Sequence, residues 1–237
     1  ALCDRDKERL AEFRELHPDA RFFQDVKDIA ALEQVDAVVL ATPAGFHREQ
    51  VQQLLEAGKD VLVEKPLAMT LEEGRNLVEE ARRRERILMV GHTFLFNPSV
   101  RRTKQEIDAG TLGDLEYITA QRLSLGRIRS DCNALWNLAP HDVSILLYWL
   151  DRMPTHVSAH GMAFRKGHQQ EDIAICVLEF SERVITSLQV SWMNPVKVRQ
   201  MTLVGNKRML IYDDVDPETP LTLYDQAVEE VALRDPQ

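Results

Sequence analysis

Residues 61–70 read VLVEKPLAMT, and the run decides how the rest of the chain folds. Val61, Leu62 and Val63 form an apolar strand that stops on an acid, a base and an imino acid: Glu64, Lys65 and Pro66. Thr70, with Glu73 three residues on, is the capping-box pattern that starts a helix over LEEGRNLVEEARRRE. A strand apolar at every position is buried on both faces, as in a parallel sheet covered by helices on both sides. Polar chemistry is then confined to the strand tip, where open α/β sheets bind their ligands.

The same pattern recurs on either side. VDAVVLATP (35–43) is an apolar strand ended by Thr42 and Pro43. FHREQVQQLLEAGK (46–59) is a helix with Val51, Leu54 and Leu55 inward and Gly58 as its stop. ILMVGHTF (87–94) is a further strand. At the chain's start, CDRD leads into RDKERLAEFRELH (5–17), where Leu10, Phe13 and Leu16 keep helical spacing. Residues 1–95 therefore read as a parallel α/β domain, with the tips CDRD, ATPAGFH, EKP and GHTF along one edge.

Residues 96–237 change character. NPSVRRTKQEIDAGTLG (97–113) is a helix ended by Gly110, and HDVSILLYWL (141–150) is an apolar helix. The segments at 114–125, 154–164, 172–181, 183–193, 199–214 and 221–225 are strands joined by short turns, which points to a mainly antiparallel open sheet. The fold class is α/β followed by α+β.

Composition narrows the function. The chain has 237 residues, 44% of them apolar, and a net charge of −9 with no long basic run, which argues against nucleic acid or an anionic membrane as partner. No apolar run approaches the ~20 residues of a membrane span, and no signal peptide is visible. Cys3, Cys132 and Cys176 are isolated, with no metal-ligand spacing, which fits a reducing, cytoplasmic compartment.

ATPAGFH, VLVEKPLAMT, GHTFLFNP, AGTLGDLEYI and WNLAPHDVSILLYWL, in this order, resemble the glucose–fructose oxidoreductase/inositol dehydrogenase family. The resemblance implies a Rossmann-type first domain and NAD(P)-dependent oxidation of a hydroxyl on a sugar, cyclitol or nucleotide sugar. GHTFLFNPSV and RLSLGRIRSDCNALWNLAPHD are most similar to the branch acting on the 3-hydroxyl of UDP-N-acetylglucosamine-type sugars, including the uronic acid. The family's first strand and glycine-rich GxGxxG turn have no counterpart here. The chain reads as shortened at both ends, beginning near the end of the second strand at Asp4.

Site expectations follow residue by residue. Asp4, at a strand end, accepts a ribose diol and repels a 2′-phosphate, which favours NAD over NADP; a helix N-cap is its other reading. Arg5 would stack on adenine. Thr42 and Pro43 lie against the dinucleotide in the family, and His47 near its ribose and phosphates, unless His47 is a plain surface residue. Lys65 would hydrogen-bond the substrate hydroxyl and stabilise developing alkoxide, with Glu64 holding the ammonium and Pro66 fixing the tip. His141, opening its helix, would take the hydroxyl proton. Asn137 stands where the family often has an aspartate, so an Asp–His relay is not expected. Arg122, Arg127 and Arg129, with Asn133 and Trp136, lie in the segment leading into His141, where the guanidinium groups would clamp a carboxylate or diphosphate unless the segment is a solvated basic loop. Asn97 contacts substrate or caps the helix after it. No metal is expected.

Three functions fit. The first is a dehydrogenase that self-associates as a homodimer or homotetramer through its open sheet. The second is the same fold using NAD for redox-assisted elimination or glycoside hydrolysis. The third is a non-catalytic sugar or cofactor sensor.

Overall fold

The computed structural model describes residues 1–126, 128–129, 132–167 and 169–225. The chain divides into two compact units, Ala1–Gly91 and His92 onward. The sequence placed this boundary after residue 95. The tight turn Thr93–Phe96 instead packs on the helices of the second unit and is carried with them.

In the first unit the order is β1 (Leu2–Cys3), α1 (Lys7–Leu16), β2 (Phe22–Phe23), α2 (Val26–Ala30), β3 (Ala37–Leu40), α3 (His47–Glu56), β4 (Asp60–Val63), α4 (Leu71–Arg83) and β5 (Leu88–Val90). β4 pairs in parallel with β3 on one side and β5 on the other. Val61 and Val63 of β4 pack with Val51, Leu54 and Leu55 of α3 and Leu77 and Ala81 of α4. The capping box forms: Thr70 Oγ1 accepts from the Glu73 N–H, and the Glu73 carboxylate accepts from the Thr70 N–H. Gly58 follows α3 at φ 74°, a left-handed position that glycine takes without strain.

Two expectations change. The parallel sheet is not continuous: β1 pairs with β2, and β3, β4 and β5 form a separate sheet. In the doubly wound strand order 3-2-1-4-5-6, the break falls at the place of strand 1. Nor is the three-stranded sheet covered on both faces. Val38, Leu40, Val61 and Val63 meet the helices, whereas Val39 on the opposite face is 72% exposed and Met89 is also exposed.

The second unit contains α5 (Pro98–Asp108), β6 (Leu115–Leu125), α6 (Ala134–Leu150), β7 (His156–Met162), β8 (Ile173–Glu179), β9 (Ile185–Ser191), β10 (Met193–Gly205), β11 (Met209–Asp213) and β12 (Leu221–Tyr224). Its seven described strands are ordered β12-β11-β10-β6-β9-β8-β7. The sheet is antiparallel except at its centre, where β6 and β9 run parallel. They do so because the connection between them passes through α6 and the β7–β8 hairpin. Alternation sorts the faces: Ile118, Ala120, Ala174, Cys176, Leu188 and Val190 turn into one core with Ile145, Leu146 and Trp149 of α6. The Trp149 indole N–H donates to Val100 O at 2.9 Å, which fastens α6 to α5. Gly205 is required by close approach, since a Cβ there would lie 2.2 Å from Leu112 O. Among the described residues no helix is long and apolar enough to cross a membrane.

A buried carboxylate organises the start of β8. Asp172 is fully buried and accepts from the Phe164 and Arg165 backbone N–H groups, the Arg165 guanidinium and the Trp192 indole. Burial pushes its carboxyl up, but the Trp192, Phe164 and Arg165 donors outweigh burial and bring it down to about 2 from an ordinary 3.8. A depressed carboxylate stabilises the fold above its unfolded value and loses that contribution as pH falls through the folded value. A shift of this size corresponds to about 2 kcal/mol. Asp172→Asn should therefore lower the unfolding free energy at pH 7 by about that much, and its deficit against wild type should shrink between pH 4 and pH 2. Denaturant titration followed by tryptophan fluorescence reads this directly, because Trp136, Trp149 and Trp192 all lie in the second unit. An equal deficit at both pH values would refute it.

Candidate active site

Where the parallel ladder of the first unit runs out, its polar residues gather. The Glu64 N–H donates to Leu40 O at 2.9 Å and the Gly91 N–H to Val63 O at 2.8 Å, so the tips of β3, β4 and β5 are still joined one residue beyond the strands. Lys65 follows at once, half-buried, and the Lys65–Pro66 peptide is cis. Glu64 is exposed. Gly91 lies beside it, since a Cβ there would be 3.4 Å from the Glu64 carboxylate, an ordinary contact distance. On the neighbouring tip, the Thr42 hydroxyl donates to Gln50 Oε1 of α3 at 2.5 Å, and Pro43 is exposed.

His47 differs from its expectation. It is 1% exposed, with Nδ1 2.7 Å from Pro66 O and Nε2 2.7 Å from Thr42 O. Both ring nitrogens are engaged by backbone, so the ring has none to offer a ribose or phosphate. Gln50 and this pair of contacts were not legible in the sequence, where a histidine beginning a helix carries no mark of burial.

Asp4 ends β1 and does not cap α1. Asp6 is the cap, accepting from the Glu8 and Arg9 N–H groups. Asp4 accepts from the Asp6 N–H at 2.9 Å and from Arg9 at 2.8 Å, and its carboxyl is held below the usual range first by the Asp6 hydrogen bond and then by Arg9. The side chain remains 27% exposed, with acceptor capacity left for a diol. Arg5 stacks over the Phe46 ring at 4.9 Å. A partly exposed carboxylate at one tip and a guanidinium–aromatic platform beside the Thr42–Pro43 turn are compatible with the ribose and adenine of a dinucleotide. Among the described residues no cluster of His, Cys, Asp and Glu suits a metal ion.

In the second unit, His141 lies inside α6 and does not open it. The helix begins at Ala134, capped by Asn133, whose side chain accepts from the Trp136 N–H at 2.8 Å and donates to Glu171 at 2.9 Å. Asn137 lies one turn before His141, on the same face of the helix. The His141 ring meets Phe94 edge-on, centroids 4.9 Å apart, and the Arg122 guanidinium lies over the same Phe94 ring at 4.6 Å from its centre. Arg122 is not a substrate clamp: it is 4% exposed and bidentate to Asp142 at 2.8 and 2.9 Å. Burial pushes the Asp142 carboxyl up, against the pull of Arg122. Asn97 caps α5, accepting from the Ser99 and Val100 N–H groups. Trp136 borders an apolar cavity of about 440 Å3 with Leu135, Pro140, Val143 and Cys176. His92 lines the same cavity, and burial pushes its imidazole down. Arg127 lies outside the described residues, and Arg129 is half-buried.

Both halves of the chain match known families. Residues 1–92 match the oxidoreductase family with an NAD-binding Rossmann fold, and residues 100–211 match the GFO/IDH/MocA C-terminal domain. The chain is 40% identical over 184 residues to inositol 2-dehydrogenase of Rhodococcus erythropolis, covering 74% of this chain and 53% of that protein. It is 30% identical over 217 residues to UDP-N-acetylglucosamine 3-dehydrogenase of Acidithiobacillus ferrooxidans, covering 91% and 65%. The WlbA dehydrogenase of Bordetella pertussis, solved with NADH and UDP-GlcNAcA, superposes with a TM-score of 0.85 at 25% identity, covering 96% of this chain and 69% of that one. The chain thus spans about half to two-thirds of the length of these relatives. Matched by both domain models along most of its length, it belongs to the glucose–fructose oxidoreductase/inositol dehydrogenase (GFO/IDH/MocA) family of oxidoreductases.

Proposed function

We propose that this chain is part of an NAD-dependent dehydrogenase that oxidises a secondary hydroxyl of a sugar, cyclitol or nucleotide sugar to a ketone. The observation that carries the reading is the half-buried Lys65 at the tip of β4, beside polar tips suited to a dinucleotide. Asp4 would hold the adenosine ribose, and Arg5 with Phe46 the adenine. NAD, when bound, supplies the hydride acceptor.

The work of the chain's own residues is to bind, orient and move the proton. The Lys65 ammonium donates to the substrate oxygen and favours its alkoxide character as the C–H bond weakens. His141 accepts the hydroxyl proton on its imidazole, and Asn137, one turn away, orients substrate or ring through its amide without itself relaying a proton. Pro66 directs the Lys65 tip and Glu64 supplies a nearby negative charge. Asn97, Asn133, Trp136 and Arg127 complete the proposed substrate surface, the two asparagines through the amide capacity left by capping. Similarity to the nucleotide-sugar dehydrogenases over almost the whole chain supports a UDP-N-acetylhexosamine, or its uronic acid, as substrate, with the 3-hydroxyl reacting.

Self-association uses the open face of the second sheet. Tyr117, Ile175 and Ile185 are exposed there and sit on adjoining strands, flanked by Gln121 and Gln189, whose amides hydrogen-bond at 3.3 Å. Light scattering of the intact protein at micromolar concentration should give a dimer or tetramer, which Ile185→Glu dissociates. A monomeric wild type would count against this face.

Cofactor choice is tested by calorimetry on the intact protein. NAD should bind more tightly than NADP, since the Asp4 carboxylate repels a 2′-phosphate, and Asp4→Ser should narrow the gap. Tighter NADP binding would transfer the role to Arg5.

Chemistry is tested with saturating NAD and UDP-N-acetylglucosamine, its uronic acid and myo-inositol. Net formation of reduced cofactor is expected with at least one of them. A transient rise with no net reduction would favour redox-assisted elimination, and no reduction with any sugar would favour a sensor. Lys65→Met and His141→Asn should each lower turnover by about 10²-fold or more while leaving NAD binding within a few-fold. Wild-type turnover in Lys65→Met would remove this tip from the chemistry.

A further inference from the structure

The contacts of His47 ask more of the ring than a neutral imidazole can give. Nδ1 faces Pro66 O and Nε2 faces Thr42 O, each at 2.7 Å. Both partners are carbonyl oxygens and can only accept. A neutral ring carries one N–H and one lone pair, so one of the two contacts would set lone pair against lone pair. A ring protonated on both nitrogens donates to both. Burying such a ring costs desolvation, and hydrogen bonds to two carbonyls act against that cost.

The location gives the contacts a consequence. Backbone pairing between β3 and β4 ends where the Glu64 N–H meets Leu40 O. Past that bond no further backbone pairing joins the two tips among the described residues, and Pro66 has no N–H to extend one. The His47 ring spans the gap, gripping the carbonyl after β3 and the carbonyl after β4. Lys65 lies between two fixed neighbours, Glu64 on Leu40 and Pro66 on His47. The Thr42 side is braced again from α3 through its hydroxyl on Gln50. The charged groups on neighbouring elements have partners of their own: Glu73 of α4 accepts from the Met69 and Thr70 N–H groups, Lys59 donates to Leu32 O, and Glu49 of α3 accepts from Gln53. Arg48, next in the chain, is exposed, as are Asp28 of α2 and Glu64 at the tip.

We propose that His47 is a positioning residue, a buried imidazole protonated on both nitrogens that bridges the Thr42 and Pro66 carbonyls and so sets the position of Lys65. The proposal rests on the reading of Lys65 as the group that meets the substrate. It assigns His47 no contact with substrate or cofactor.

Two measurements test it. In the intact protein labelled with 15N-histidine, the His47 ring should show two protonated nitrogens at pH 7, each with a one-bond N–H coupling. A single protonated nitrogen would overturn the bridge. In kinetics, His47→Asn, too short to reach both carbonyls, should lower kcat by about 10- to 100-fold, the scale of a misplaced catalytic group, with the KM for NAD changed less than about threefold. His47→Gln, which restores one long donor arm, should recover part of the loss. Wild-type kcat in a folded His47→Asn overturns the positioning role while leaving the reading of Lys65 standing. Wild-type turnover in Lys65→Met overturns that reading, and the proposal with it, whatever the nitrogen spectrum shows.

Discussion

A parallel strand that packs its residues into a core has only its tip for polar chemistry, and β4 imposes this constraint on the first unit. It is the middle strand of its sheet, with both backbone edges paired and Val61 and Val63 closed in by α3 and α4. Because β3, β4 and β5 run the same way, their carboxyl ends fall on one edge. Thr42, Glu64, Lys65 and Gly91 therefore converge there without any loop having to carry them. Residues that would be scattered in an antiparallel sheet become neighbours through strand direction alone.

The second unit meets a different demand, which is to hold His141 on a helix with an interior proline. Pro140 removes an N–H and crowds the preceding turn, which weakens α6 just before His141. The surroundings compensate. Asp142 is locked bidentate to Arg122 of β6, and Arg122 lies over the Phe94 ring that meets His141. Replacing such a buried pair with apolar residues is often neutral for stability. Its value here is directional: it fixes the rotation of α6 on the sheet and hence the side on which His141 emerges.

The two exposed apolar faces have different origins. In the second unit strict alternation along β8 and β9 makes one face core and the other outward. In the first unit Val39 is exposed although its strand is apolar throughout, because α3 and α4 cover only one side of β3–β5. The break between the β1–β2 pair and the three-stranded sheet lies in the same region of the doubly wound order.

Local signals in the sequence were sufficient wherever the physics is local. Thr70 with Glu73 specified a helix start, Gly58 and Gly110 marked helix stops, and the apolar runs at 37–40 and 61–63 marked strands with polar tips. The motifs about EKP and WNLAPHD carried the family. Partnership between distant groups was decided only in the folded chain. Asn97 read equally well as a substrate ligand or a cap, Asn133 read only as part of a substrate segment, and helix geometry made both of them caps. Arg122 read as a clamp until the β6–α6 packing put it 20 residues away in sequence on Asp142. His47 looked like a surface residue or a phosphate ligand, because nothing in FHREQVQQLL tells that two carbonyls from separate strand tips converge on its ring. Hydrophobic period and capping are written in neighbouring residues, whereas a buried polar side chain takes its role from whichever backbone groups the tertiary fold leaves unpaired beside it.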